Sequence, residues 1–562
     1  LTVSQTAAVG ARPLRMTLRE AGVFAVATAV LASLVLFGNP LPLSNDSFQY
    51  LKVAESIASG KGIETPLVHF DSERSEGRIP APMTTFAPGY PAVVALGSVP
   101  AGSFEGAARA LSVAASALVV LLTCLFGEFA GLTRNGTRLA LALLLLNSFF
   151  LHFSTAVASE PLFLLTSLSG LLVIARTLEK SAEQRVLPGL AFGQFLIACS
   201  YWTRYAGLFV FVAVVLHAMI ALAVMRNRRT LLYAASCGIS GALIGLIMIR
   251  NLLLVGNWKG GNEKHLNSPL GPLAGDYVRA QIHLLFGSHL TDGWTVATIA
   301  FASAAILAGG AALLRSRQSS PGGAPRPMAS GFALLVLYVA VSTGSLLYLG
   351  KTSPISFGPR MFYPLLPLYA VGALVAVEQG WAYAVNHGVP QAFGTASCLV
   401  FLCLYGWGNL REFNHAREHP LTDDIRAFLE EPMEDGRPLR VWMEAHVGSD
   451  EVIVADNGQA TGYLLRRPVL SLIESRYSSI AWTRKTLEDQ MGRFHARFLI
   501  LYLRMADSID PVRTESGFLA GAICCRVNPG FHVAAENRDV RILQRDQPGP
   551  EVPKVARNGE LK

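Results

Sequence analysis

Long apolar stretches recur through the first three quarters of the chain, and about 17–25 such residues suffice to cross a hydrocarbon core roughly 30 Å thick. They fall at residues 23–37, 107–126, 139–153, 161–175, 187–202, 206–225, 231–255, 296–314, 331–349, 361–377 and 392–407. Several are short or broken by glycine, so about eleven crossings are expected. Charge agrees: only 15% of the 562 residues are charged and the mean hydropathy is +0.39, where soluble domains carry roughly 25% charged residues.

Orientation follows from arginine and lysine, which accumulate in short cytoplasmic loops. Arg12, Arg15 and Arg19, then Arg134 with Arg138, Arg176 with Lys180 and Arg185, Arg226 with Arg228 and Arg229, and Arg315 with Arg317 and Arg326 occupy alternate junctions. The pattern predicts a multi-pass protein of a bacterial inner (plasma) membrane, with a cytoplasmic N-terminus and an exported C-terminal segment. Residues 378–391 carry no Lys or Arg and fit less well. The net charge of +8 is then a product of topology, and nucleic acid is not an expected partner. No small-residue cleavage site follows the first run; Asn39-Pro40-Leu41-Pro42 does, so a retained helix is expected rather than a signal peptide. Five of the seven cysteines lie in apolar runs and Cys524 and Cys525 are adjacent, which yields neither a disulfide framework nor a metal-spaced set.

The expected organisation is a cytoplasmic N-terminus at 1–20, a membrane domain at 21–410 with an exported loop at 43–88, and an exported α/β domain at 411–546. The Pro-, Gly- and charge-rich tail 547–562 is expected to be disordered. Within the α/β domain, a strand ending at Asp456-Asn457-Gly458, a helix to Leu465, an apolar run from Pro468 to Ile473 and a strand at Phe498 to Leu503 set the pattern. Asp456-Asn457-Gly458 reads as an ordinary turn.

Loops longer than a connection requires are usually functional or disordered, and the first exported loop is the longest. Tyr50, Val53, Ala54 and Ile57 repeat at helical spacing and Gly60 supplies a stop, predicting an amphipathic helix along the membrane surface. Asp46 begins it. A capping-box-like start with Gln49 three residues on accounts for that Asp as well as a functional role does. Further on, Pro82-Met83-Thr84-Thr85-Phe86-Ala87-Pro88-Gly89-Tyr90-Pro91 forms a stiff turn back to the membrane. In the loop after the seventh run, Glu263 and His265 could handle a sugar or a metal, though most loop histidines do neither, and residues 280–286 look amphipathic.

Taken in order, Asp46, the Tyr50-Leu51-x-x-Ala54-x-x-Ile57-Ala58-x-Gly60-x-Gly62 helix and Pro88-Gly89-Tyr90-Pro91 resemble the GT-C superfamily of integral-membrane glycosyltransferases. Ala158-Ser159-Glu160-Pro161, Thr203-Arg204-Tyr205-Ala206-Gly207, Arg250-Asn251 and Gly358-Pro359-Arg360-Met361-Phe362-Tyr363-Pro364 extend the likeness over residues 23–377. The relatives it is similar to are protein O-mannosyltransferases, the aminoarabinose transferases of lipid A and bacterial proteins grouped with them. The resemblance implies a GT-C-like polytopic α-helical membrane protein with a small C-terminal α/β extracytoplasmic domain. It also implies inverting transfer of a sugar from a polyprenyl-phosphate donor to a lipid, glycan or protein acceptor at the outer face.

On this resemblance Asp46 is the expected base, or helps hold a divalent cation; no other cofactor is implied. Where the O-mannosyltransferases have an Asp-Glu pair this chain has Asp46-Ser47, which puts metal binding and protein acceptors in doubt. Glu160 is the next candidate carboxylate, although a Glu also suits a helix start through the dipole. Arg360 is the first choice for the donor phosphate, because a planar donor fork stabilises charge on a phosphate leaving group. A lipid-facing anchor is its competing role. Arg204, Arg250 and Lys351 are second-line phosphate ligands, and Tyr50, Tyr90, Tyr363 and His265 are expected at the substrate. The expectation that binds these together is a carboxylate and a guanidinium bracketing the anomeric carbon at the outer boundary. Two rivals from other classes stand beside it: a transporter or flippase of lipid-linked saccharides, for which the absence of internal repeats counts against, and a non-catalytic envelope scaffold.

Overall fold

The computed structural model describes residues 16–38, 42–69, 75–179, 186–260, 269–287, 331–352, 357–386, 390–415, 421–472, 481–503, 517–524 and 530–546. They divide into two compact units. One comprises Leu1–Leu41, Gly106–Ile247 and Asn267–His419; the other comprises Pro42–Glu105, Met248–Leu266 and Pro420–Lys562. The long loop at 43–88 therefore groups with the C-terminal domain, where the sequence placed it in the membrane domain.

Seven helices among the described residues are long and apolar enough to cross a membrane: Leu18–Phe37, Phe104–Ala130, Glu160–Glu179, Gly207–Met225, Arg228–Val255, Gly331–Thr352 and Pro359–Ala382. A bent pair, Arg134–Leu145 and Ser148–Thr155, meets at 63° and makes an eighth crossing if the two helices act as one span. The chain is thus a multi-pass membrane protein. Of the remaining expected crossings, one is the helix Leu187–Thr203, only 17 residues long. Another lies in Gln391–His415, whose last turns carry Asn409, Arg411 and Glu412. The run at 296–314 lies outside the described residues.

A broken crossing exposes backbone groups that lipid cannot satisfy, each costing several kcal/mol. Asn147 closes the gap at this one. Its side chain accepts from the Phe150 backbone N–H at 3.0 Å and donates to the Leu284 carbonyl at 2.7 Å and the Tyr405 hydroxyl at 3.1 Å. Opposite it, the Asn409 side-chain oxygen accepts from the Ser148 N–H at 2.9 Å. Leu284 belongs to the helix Leu270–Phe286 and is fully buried, so this segment, expected to dip into the interface, packs inside the bundle.

Helix ends that the charge pattern assigns to one side do meet. Glu20 binds Arg134 and Arg138, Glu128 reaches Arg176 at 3.5 Å, and Arg229 donates to the Thr177 carbonyl. Glu378 accepts from the Thr133 N–H at 3.1 Å. This places the start of residues 378–391, here still within the helix Leu366–Asn386, beside that same basic end, where their lack of Lys and Arg gave no indication.

In the other unit a six-stranded sheet runs in the order β2-β5-β4-β6-β8-β7. Here β2 is Leu67–Val68, β4 Ile453–Ala455, β5 Val469–Ser471, β6 Phe498–Tyr502, β7 Phe531–Glu536 and β8 Val540–Arg545; β1, Glu64–Thr65, pairs with β3, Ala81–Pro82. The strands β2, β5, β4 and β6 are parallel and β8 is antiparallel to β6. Alternate residues face opposite sides. Ile453, Ala455, Val469, Phe498 and Ile500 share a core with Ala460 of the helix Gly458–Leu465, whereas Val454, Leu470 and Leu499 share one with Leu487 and Met491 of Arg484–Arg493.

The amphipathic helix of the first loop is Asn45–Ala58. Its apolar face packs in this unit, with the Phe48 ring 4.9 Å from that of Tyr463 and Leu51, Val53 and Ala54 buried. Gln49, 2% exposed, joins helix to sheet: it donates to the Leu67 carbonyl at 2.6 Å and accepts from the Thr65 hydroxyl at 2.9 Å. Gln49→Ala strands both partners in a dry interior and is expected to destabilise the protein by about 1–3 kcal/mol. A lowered thermal midpoint of the purified variant checks this; an unchanged one would show that water replaces the amide.

Candidate active site

Three helix ends converge in the bundle unit. Glu160 opens the helix Glu160–Glu179, Arg204 caps the end of Leu187–Thr203, and Arg360 lies in the short helix Pro359–Phe362 behind Gly358. The Glu160 carboxylate is fully buried. Its Oε1 forms an ion pair with Arg204 Nη1 at 2.7 Å and accepts from Arg360 Nε, while Oε2 has no hydrogen-bond partner among the described residues. Both guanidiniums remain partly exposed, at 25% for the Arg204 side chain and 39% for Arg360. One buried negative charge thus fixes two positive ones.

The backbone around this cluster is fixed by neighbours the sequence did not single out. Arg109, 9% exposed, donates to the Thr155 carbonyl at 2.9 Å and Ser112 to the Ala156 carbonyl at 2.7 Å, which secures the non-helical link leading to Glu160. Arg204 Nη1 also donates to the Ser159 hydroxyl at 3.0 Å. Gly207 allows the next helix to start against the turn carrying Arg204, because a Cβ there would run into the Tyr201 backbone. His152 is half-buried and feels the charges of both Glu160 and Arg360. An arginine and a histidine inside apolar runs are themselves indications of function or of a structural polar link, and that pattern could have marked Arg109 and His152.

Within the unit that holds the six-stranded sheet, Asp46 is half-buried at the second position of its helix. The N-cap is Ser44, two residues earlier. Ser44 and Ser47 form the capping box reciprocally: each side chain accepts from the other's backbone N–H, at 3.3 and 3.1 Å. The expected Asp46–Gln49 capping pair is therefore replaced by two serines, and an acidic residue at this position also gains from the helix dipole, by about 0.3–1 kcal/mol. Nearby, His69 follows β2. Its Nδ1 is enclosed although the residue as a whole is half-buried, and burial holds the imidazole down to about 4 against the pull of the Asp46 charge.

Other expected site residues have different surroundings. Arg250 donates to the Met83 carbonyl at 3.0 Å and the Ile63 carbonyl at 3.3 Å, stapling the proline-rich turn. Tyr50 and Tyr90, 2% and 0% exposed, stack edge to face at 4.9 Å with Phe86 beside Tyr50 at 5.3 Å. Tyr363 is buried with its ring 4.7 Å from that of Phe153. These three tyrosines, expected at the substrate, have their rings packed in the interior, as large aromatic rings bury favourably. Lys351 is half-buried at the end of Gly331–Thr352, and His265 lies outside the described residues. Among the described residues no three His, Cys, Asp or Glu side chains come together as a metal set.

No family model and no curated protein matches this sequence. Solved structures match the fold. ArnT from Cupriavidus metallidurans, bound to undecaprenyl phosphate, aligns with a TM-score of 0.55 at 11% identity over 94% of this chain and 99% of that one. The archaeal oligosaccharyltransferase AglB from Archaeoglobus fulgidus, in complex with an inhibitory peptide and a dolichol-phosphate, aligns at 0.55 and 10% identity over 88% and 71%. Its apo form gives 0.53 and 11% over 86% and 70%.

Proposed function

Since the chain has the GT-C fold, we propose that it is a membrane glycosyltransferase. It moves a sugar from a polyprenyl-phosphate donor to an acceptor on the extracytoplasmic face, in a bacterial inner membrane with the N-terminus cytoplasmic. The observation that carries this reading is the pair of guanidiniums fixed on the buried Glu160 carboxylate at one end of the bundle. A phosphate leaving group needs positive charge held in place before the bond breaks, and donors that do not have to reorganise are worth most.

In this reading Asp46 removes the proton from the acceptor hydroxyl. That oxygen attacks the anomeric carbon as the bond to the phosphate oxygen breaks, so the configuration inverts. Arg360 and Arg204 take up the charge released on the polyprenyl phosphate, and Lys351 adds long-range attraction. Glu160, first considered as a second catalytic carboxylate, instead positions the two arginines through Oε1. Arg250 holds the first loop and leaves the phosphate to the others.

The test is transfer by purified protein in liposomes from a panel of undecaprenyl-phosphate sugars, with the anomeric outcome read by NMR. Inverted product from at least one donor is expected, and absence of product from every member, with folded protein, rejects the assignment. Arg360→Ala is expected to lower transfer by about 10²–10³-fold, in line with loss of one charge-stabilising donor. A rate within a factor of a few of wild type would return Arg360 to the role of a lipid anchor.

A further inference from the structure

We propose that His69 acts through Asp46, as the group that holds the carboxylate in its working orientation and then takes from it the proton removed from the acceptor hydroxyl. The proposal rests on the transferase reading with Asp46 as base. Asp46 and Gln49 are three residues apart on the helix Asn45–Ala58 and so share one of its faces. The Gln49 amide ties Leu67 to that face at 2.6 Å, and His69 is the first residue after β2. From the other side the sheet holds the same segment, because the Val469 N–H donates to the Pro66 carbonyl at 2.9 Å and β2 pairs in register with β5. The imidazole is thereby delivered to the Asp46 side of the helix by two independent sets of backbone restraints.

Its environment suits a proton carrier. The Nδ1 atom is enclosed while the residue as a whole is half-buried. Burial keeps it neutral at neutral pH, and among the described residues Asp46 is the charged group that acts on it. A neutral imidazole can accept a proton that a carboxylate has just taken, and its release to water returns both groups to their starting state. The balance is complete. The hydroxyl proton passes to Asp46, to His69 and to water, the new glycosidic bond forms at the anomeric carbon, and the electron pair of the broken bond leaves with the phosphate.

The experiment compares wild type, His69→Asn, His69→Gln and Asp46→Asn in liposomes, using whichever undecaprenyl-phosphate sugar turns over. His69→Asn is expected to lower kcat by about 100-fold with KM for the donor unchanged, and added imidazole is expected to restore part of the rate. His69→Gln keeps a hydrogen-bonding amide and is expected to stay slow. Wild-type kcat for His69→Asn, or full recovery with Gln alone, overturns the relay while leaving Asp46 as base. A normal rate for Asp46→Asn overturns the base assignment itself. Should the His69 variants not fold, the wild type decides: a bowed dependence of kcat on deuterium fraction is expected for two protons in transfer, and a straight one overturns the proposal.

Discussion

Asp46→Asn is expected to lower sugar transfer by about 10²–10⁴-fold, the usual contribution of a general base, while leaving the protein folded. The side chains are nearly isosteric, and Ser44 with Ser47 supplies the helix cap, so the substitution removes basicity without removing a structural hydrogen bond of the cap. The measurement is initial rate in liposomes together with the thermal midpoint. A large rate loss at an unchanged midpoint is the expected pair of results. Unchanged transfer removes Asp46 as base; a midpoint that falls with the rate would make its role structural. Transporter and scaffold rivals predict no transfer to begin with.

Glu160→Ala is expected to be the most damaging single change to stability. It leaves Arg204 and Arg360 facing each other at a helix junction without their counter-charge. Breaking a buried ion pair by removing one partner costs about 3–5 kcal/mol. The partial exposure of both guanidiniums moves the expectation to the lower end, about 3 kcal/mol. Replacing all three together, Glu160→Leu with Arg204→Met and Arg360→Met, is expected to restore most of the thermal midpoint, because an apolar cluster of similar volume needs no charge compensation. Transfer is expected to stay lost in that triple variant. A stable and active triple variant would sever the cluster from catalysis.

Several features were legible in the residues alone because they depend on local pattern. Apolar run length marks a helix that lipid can surround, and alternating basic loops correctly grouped the ends joined by Glu20, Glu128 and Arg229. The strand–helix–strand order at 453–471 was readable for the same reason: a buried strand, a turn and a short helix each leave a signature a few residues long. Motif order also marked Glu160, Arg204 and Arg360, though as separate candidates.

What the residues withheld was pairing across long separations. Nothing local distinguishes a tyrosine at the surface from one packed edge to face in a core, so the burial of Tyr50, Tyr90 and Tyr363 came only with the tertiary structure. The first loop appeared to belong with the membrane because its helix is amphipathic; a two-residue strand, Leu67–Val68, too short to recognise by alternation, joins it to the C-terminal sheet. By itself, then, the sequence determined which segments can live in lipid, which helix ends gather together and which charged residues stand at those ends, since desolvation acts residue by residue. Tertiary structure alone decided that one carboxylate holds two arginines 44 and 200 positions away, and that serines relieve Asp46 of capping. Such bonds are chosen by geometry after folding has brought distant segments together, and no spacing along the chain encodes them.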